Sequence, residues 1–382
     1  MRDPEEELSQ LQSSGLLRHL RRIESPQGIR VKLSGVGECL NFSSNDYLGL
    51  STDDSLKSLY QKHIGHYGVG SGASRLVCGT MAVHLELEEK LAALKHTGAA
   101  LTFTSGFATA TGVLPALCGK DDFLILDKLC HASLIDGARL SEATLRVFPH
   151  NDLDRLQSHL EWASERVGAG GRILVVTESV FSMDGDLAPL DEICDLKERY
   201  RALLLVDEAH AFGVLGPGGR GLGAEPGVEG RIDLQMGTFS KAVGLSGGYL
   251  CASRSIVDLL INRARSFIYT TAPPPALAAT LRDALDLVCG PRGDALRDDL
   301  RRNRETFSAD STSAIHPVII GDNEAALAAS ARLLTLGFLV PAIRFPTVPK
   351  GSARLRVTLS AAHHFEEILS LKSALAQLAS TR

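Results

Sequence analysis

No two of the seven cysteines (Cys39, Cys78, Cys118, Cys130, Cys194, Cys251, Cys289) form a CxxC pair, and their number is odd. That pattern suggests neither a disulfide framework nor a zinc site, and it fits a reducing cytosol. The chain also lacks a basic surplus: 40 lysines and arginines stand against 45 acidic residues, a formal charge of −5. Nothing in that balance would draw it to nucleic acid or to an anionic lipid surface. The opening "MRDPEEELSQ" has no apolar core of a secretory signal, so the mature protein is expected to begin near Met1 and to be cytoplasmic.

Other absences disarm lookalike motifs. "VDEAH" at 206–210 matches the acidic box of an ATP-hydrolysing helicase, yet the chain has no GxxxxGK[ST] phosphate loop. "GLSGG" at 244–248 fits a hydrolase elbow, but the expected strand, "GGYLCAS", follows the serine instead of preceding it. "GVGSGAS" at 68–74 resembles a dinucleotide fingerprint, but "HIGHY" before it is no buried strand; a backbone bend near a ligand remains open. HExxH is missing, so His363 and His364 read as a solvated helix start and no metal is expected. There is no internal repeat and no low-complexity segment. Thr97–Gly119 is uncharged and long enough to span a bilayer, but Thr102, Thr104, Ser105, Gly106, Thr109 and Gly112 crowd its middle. A buried strand, a turn and a helix are expected there, with no membrane partner.

What is present is ordinary for a soluble globular chain: 382 residues, 44% hydrophobic and 22% charged, enough for one large domain and a smaller one. Residues 5–23 have roughly helical spacing and are stopped by "SPQG", which predicts an N-terminal arm within residues 1–40. From 41 to 280, near-continuous apolar runs ("AALTF", "FLIL", "RILVV", "ALLLV", "IDLQM") end in small or polar residues and alternate with helical patterns. This predicts an α/β domain with a mainly parallel sheet covered on both faces, and ligands beyond the carboxyl ends of the strands. "APPPA" at 272–276 breaks the pattern. Residues 281–382 read as helices, a strand "AIHPVII", the amphipathic "NEAALAASARLLTLG" and a strand "ARLRVTLSA", a compact α+β domain with an antiparallel sheet.

One stretch calls for chemistry. In "GTFSKAVGLSGG", Lys241 follows a strand end and is set among residues too small to carry it outward. A lysine so placed can form a Schiff base, most commonly with the aldehyde of pyridoxal phosphate. That cofactor makes further demands. Its pyridine nitrogen needs a carboxylate, and Asp207 ends "ALLLV"; raising that nitrogen's pKa by about two units corresponds to roughly 3 kcal/mol. His210 lies near the same strand end for the phenolic oxygen, and His131 offers a flat ring to stack. Gly106 and Phe107 open a helix whose N–H groups suit a phosphate, with Thr238 and Ser240 adding hydroxyls and Ser182 at the pocket edge. Singly, each admits a bland reading: a turn-capping Asp, a packed loop His, a turn Ser. Jointly, they meet the requirements of one cofactor.

"NFSSNDYLGLS", "GVGSGASRLVCGT", "TSGFATA", "DKLCHASLIDG", "TESVFSMDGD", "VDEAHAFGVLGPGGRG" and "GTFSKAVGLSGGY" together resemble the α-oxoamine synthases, fold-type I pyridoxal phosphate enzymes that condense an amino acid with an acyl thioester and lose CO2. The likeness runs from about residue 15 to the C-terminus. It implies that Lys241 holds the cofactor covalently, Asp207 pairs with the pyridinium, and His131 stacks on the ring and touches substrate. It further implies that His210 and Ser182 contact the ring oxygen region and that Gly106, Phe107 and Thr238 hold the phosphate. On the substrate side it points to Asn45, to Arg18 (with Arg21 or Arg22 as alternatives) and to Thr347. Arg356 is the choice for the amino-acid carboxylate, since a guanidinium grips it bidentately. "AIRFPTVPKGSARLRVTLSAAHH" resembles the branch that uses L-alanine and a pimeloyl thioester, on CoA or a carrier protein, in biotin biosynthesis. The alternatives are a glycine-using sister such as 2-amino-3-ketobutyrate CoA ligase and a non-catalytic partner subunit, which would lack the lysine. The resemblance also implies a homodimer, with "IYTTAPPP" at 268–275 reaching across.

Overall fold

A run such as Ala99–Phe103 has no polar face to turn to water, and in the computed structural model, which describes residues 3–380, it becomes a strand with every residue buried. The same holds for Phe123–Asp127, Ile173–Glu178, Leu234–Thr238 and Gly248–Ala252. Each large aliphatic side chain so buried contributes about 1.5–3 kcal/mol of transfer free energy. The chain divides into two units, Asp53–Ser182 with Asp186–Arg297, and Met1–Thr52 with Met183–Gly185 and Asp298–Arg382.

The first of these units holds a seven-stranded sheet in the order Ala99–Phe103, Gly248–Ala252, Leu234–Thr238, Leu203–Asp207, Ile173–Glu178, Phe123–Asp127, Thr144–Phe148. Gly248–Ala252 runs antiparallel to both neighbours and all other pairings are parallel. Apolar clusters cover both faces: Leu101, Val113, Leu126, Val176 and Leu250 belong to one, Ile125, Leu156, Val175, Leu204 and Val206 to the other. The uncharged stretch from Thr97 resolves into the strand Ala99–Phe103 and the helix Gly106–Leu117. Ser105 caps that helix by accepting the Ala108 N–H (3.0 Å). The helix Ala132–Leu140 lies against it at Gly137, where a Cβ would come within 2.6 Å of the Ala110 carbonyl oxygen. Only glycine permits that approach, which brings the two helices side by side.

The second unit carries two small sheets. Ile315–Gly321 pairs antiparallel with Ala353–Thr358, which also pairs with Ala342–Ile343. Arg30–Leu33 pairs antiparallel with Gly37–Asn41, which runs parallel to Phe338–Leu339.

Three expectations are corrected. The N-terminal helix spans Pro4–Ser13 and does not continue to residue 23; it buries no residue, and Gly15, at φ 65°, turns the chain out of it. The strand Thr144–Phe148 escapes the apolar-run criterion because it is an edge strand with Thr144, Arg146 and Val147 exposed. His363 is not solvated: it is buried, stacks on Phe42 at 4.1 Å, accepts the Ser360 N–H and donates to the Asn41 carbonyl. Burial pushes its pKa down to about 4. His364 is exposed. Among the described residues, no helix is long and apolar enough to cross a membrane.

Candidate active site

Parallel strands deliver their last residues to one edge, and in the larger unit that edge collects charge. Asp207 ends its strand opposite Glu178 in register, and both are buried. Asp207 Oδ1 accepts the Ala209 N–H (2.9 Å). Burial raises the Asp207 pKa while the charge of Lys241 opposes the rise. Glu178 is pushed well up, first by burial and then by the Asp207 charge. Its Oε1 accepts the backbone N–H of His131.

His131 caps the helix Ala132–Leu140, its Nδ1 accepting the Ser133 N–H (3.2 Å), and the residue is exposed. Desolvation by its neighbours lowers its pKa; Asp207 acts against that lowering and Lys241 adds to it. Lys241 sits in the turn between Leu234–Thr238 and Gly248–Ala252, half-buried, with Nζ 2.8 Å from His210 Nε2. His210 itself is buried. Asp207, Glu178, His131, His210 and Lys241 therefore meet at adjoining strand ends.

The polar cradle lies along the same edge. Thr238 Oγ1 donates to the Gly247 carbonyl (2.7 Å), accepts the Ser240 N–H (3.2 Å) and lies 2.7 Å from Ser240 Oγ. A Cβ on Gly106 would lie 3.4 Å from Thr238 Cβ, so the N-terminus of Gly106–Leu117 adjoins these hydroxyls. The first-turn N–H groups of a helix have no intrahelical acceptor, so those of Gly106 and Phe107 are available to an anion. Ser182 follows the strand Ile173–Glu178 in the turn closed by the Val180–Leu187 bridge.

In the smaller unit the substrate-side candidates form two pairs. Arg356, buried in Ala353–Thr358, donates through Nη1 to Asn45 Oδ1 (3.1 Å) and Thr358 Oγ1 (2.9 Å). Arg18 Nη2 donates to Thr347 Oγ1 (3.3 Å), and Arg344 donates to the Leu17 carbonyl (2.8 Å), fixing the arm beside it. Arg22 instead faces Glu24 at 3.6 Å.

Glu178 is the residue that sequence reasoning missed. Its signal was available: a carboxylate closing the apolar run "ILVVTE" one strand away from Asp207.

This donor set fits pyridoxal phosphate: an amine, a sealed carboxylate for the ring nitrogen, an exposed imidazole, and helix N–H groups beside two hydroxyls. The aminotransferase class I and II family model matches residues 37–375. The 8-amino-7-oxononanoate synthase of Geobacter sulfurreducens is 48% identical over 97% of this chain and 96% of its own length. Among solved structures, a serine palmitoyltransferase of S. paucimobilis with bound PLP and myriocin superposes with a TM-score of 0.91 at 28% identity, covering 100% of this chain and 99% of that one. The 8-amino-7-oxononanoate synthase of Francisella tularensis gives a TM-score of 0.74 at 29% identity over 90% and 97%. Lys241 is present, which sets aside the lysine-free partner subunit. The chain is a pyridoxal phosphate enzyme of fold type I, and within the aminotransferase class I and II family it belongs to the α-oxoamine synthases, in the group of the 8-amino-7-oxononanoate synthases.

Proposed function

We propose that the chain condenses L-alanine with a pimeloyl thioester, on CoA or a carrier protein, giving 8-amino-7-oxononanoate, free thiol and CO2 in biotin biosynthesis. The observation that carries the chemistry is Lys241 Nζ, 2.8 Å from His210 Nε2, in the unit that seals Asp207. The relatives are named for the product, 8-amino-7-oxononanoate, and the family likeness implies the substrates.

When bound, pyridoxal phosphate supplies an electron sink for bonds broken at the amino acid's Cα. Lys241 would hold the cofactor through its aldehyde carbon, and its Nζ, when free, would take the Cα proton of L-alanine. Asp207 holds a proton at the pyridine nitrogen. His131 supports the ring face and touches substrate, while His210 and Ser182 contact the ring oxygen region. Gly106, Phe107, Thr238 and Ser240 hold the phosphate. Arg356 grips the alanine carboxylate, with Asn45 fixing the guanidinium at 3.1 Å. That carboxylate leaves as CO2 after Cα has bonded to the thioester carbonyl and the thiol has departed. Arg18 and Thr347 contact the acyl substrate.

The enzyme acts as a homodimer in the cytoplasm. Support for the dimer comes from Val69 (80% exposed), Val77 (79%) and Tyr269 (72%), apolar groups around the bridge that joins Ser74 to Thr271. Support for the compartment comes from seven free thiols.

Thiol release by the purified, cofactor-loaded protein tests the reading, with L-alanine plus pimeloyl-CoA set against glycine plus acetyl-CoA. Release with the first pair alone is expected. Release with the second alone would keep the cofactor and Lys241 and overturn the substrates.

A further inference from the structure

Away from the cradle, at the carboxyl ends of Phe123–Asp127 and Thr144–Phe148, an imidazole is held between two carboxylates. His150 Nδ1 lies 3.0 and 3.2 Å from the two oxygens of Asp127, and Nε2 lies 2.7 Å from Asp186 Oδ2. A neutral imidazole has a single N–H and would turn a lone pair toward one of these anions; only the doubly protonated ring donates to both. The Asp127 side chain is sealed from solvent, so its charge needs that partner. Phe181 meets the ring edge-on at 4.2 Å.

Each carboxylate also organises backbone. Asp127 Oδ1 accepts the Leu129 N–H (2.7 Å) and Oδ2 the Asn151 N–H (2.9 Å). Asn151, at φ 55°, donates to Asp186 Oδ2 (3.2 Å) and to the Leu187 carbonyl (3.1 Å). The Asp186 carbonyl accepts the Phe181 N–H (3.0 Å). Asp127 thus shapes the loop that leads to His131, and Asp186 closes the turn that contains Ser182.

We propose that His150 is a positioning residue for the condensation: its imidazolium ties Asp127 to Asp186 and so fixes the two loops that present His131 and Ser182. The proposal rests on the roles assigned to those two residues. Burial works against the charge on His150, but hydrogen bonds to Asp127 and Asp186 carry its pKa up to about 10. The folded pKa exceeds the unfolded value of 6.5, so the stability that the clamp contributes is full below 6.5 and is lost as pH rises through about 10.

The test uses the cofactor-loaded enzyme and the variants His150→Ala and Asp186→Asn. Three quantities are read: kcat per loaded site, the dissociation constant for pyridoxal phosphate, and rescue by added imidazole across pH. A misplacement of loops by about 1 Å costs on the order of 10²-fold, so kcat of His150→Ala should fall roughly ten- to hundredfold, and that of Asp186→Asn by less. Rescue of His150→Ala should follow the imidazolium fraction and fade as the added imidazole deprotonates. Unchanged kcat per loaded site in both variants, whatever their melting temperatures, overturns the proposal; so does equal rescue by neutral and charged imidazole. If His150→Ala does not fold, Asp186→Asn decides alone through kcat per loaded site. His131→Ala separates the two readings: its full activity removes the role assigned to His131, whereas an inactive His131→Ala beside a fully active His150→Ala removes the clamp alone.

Discussion

Glu178 and Asp207 stand side by side as register partners at the ends of neighbouring parallel strands, two buried carboxyls with only one cofactor nitrogen to serve. The arrangement divides their labour. Asp207 is the one proposed to pair with the ring nitrogen, while Glu178 spends an oxygen on the His131 N–H and so holds the start of the helix Ala132–Leu140.

The raised pKa of Glu178, from burial first and the Asp207 charge second, fixes a sign. The native carboxyl binds its proton more tightly than the unfolded chain does, so its contribution to stability is present below the unfolded value of 4.5 and is lost as pH climbs above it. Glu178→Gln keeps the acceptor for His131 and abolishes the penalty. Cofactor-free Glu178→Gln should melt above the unsubstituted protein at neutral pH, by roughly 1 °C per kcal/mol recovered. The gap should close as pH falls toward 4.5; a constant gap across pH would refute the assignment.

On the role proposed for Asp207, Asp207→Asn removes the charge that would keep the pyridine nitrogen protonated. About two pKa units, or roughly 3 kcal/mol, translate into a kcat loss on the order of 10²-fold. Steady-state thiol release with L-alanine and pimeloyl-CoA measures it, and full activity would return Asp207 to a purely structural role.

Arg356→Lys keeps the charge and loses the planar fork. Truncating a buried, hydrogen-bonded charge costs about 2–5 kcal/mol, so the KM for L-alanine should rise at least tenfold while that for pimeloyl-CoA changes little. Varying each substrate in turn separates the two, and an equal rise in both would count against a carboxylate grip.

Glu208, next to Asp207 in the helicase-like "VDEAH", faces the other way chemically. It is ion-paired with Lys95 and accepts the Gly223 N–H (2.8 Å), and Lys95 also donates to the Arg220 carbonyl. Lys95→Ala leaves a fully buried carboxylate alone, which should destabilise the protein by about 3–5 kcal/mol. Denaturant unfolding reads this directly, and a loss below about 1 kcal/mol would show that Glu208 finds another partner.

The strands were legible in the sequence because a strand covered on both faces leaves an unbroken apolar run, as in "AALTF" and "ILVV". The edge strand Thr144–Phe148 was not, since exposure at Thr144, Arg146 and Val147 erases that run. Lys241 was legible from its small neighbours. Glu178 was missed although it closes the apolar run "ILVVTE", because a carboxylate at a strand end looks like any polar terminus until its burial is known. The burial of His363 depends on Phe42 and Asn41, more than 300 residues away, and no local pattern carries that information. The Arg18–Thr347 pair, 329 residues apart, was reached through family likeness alone.

The turn that bears Lys241 begins and ends in the sheet: Thr238 and Gly248, which flank it, are register partners on adjacent strands, and Phe239 N–H donates to Gly247. In the role proposed for Lys241, its amine would therefore stay leashed at both ends when released from the cofactor. A tether this short would hold the amine at an effective concentration on the order of millimolar at the proposed site. The antiparallel strand Gly248–Ala252, the one departure from a parallel sheet, is what makes so short a leash possible, because a parallel neighbour would require a long crossover in its place.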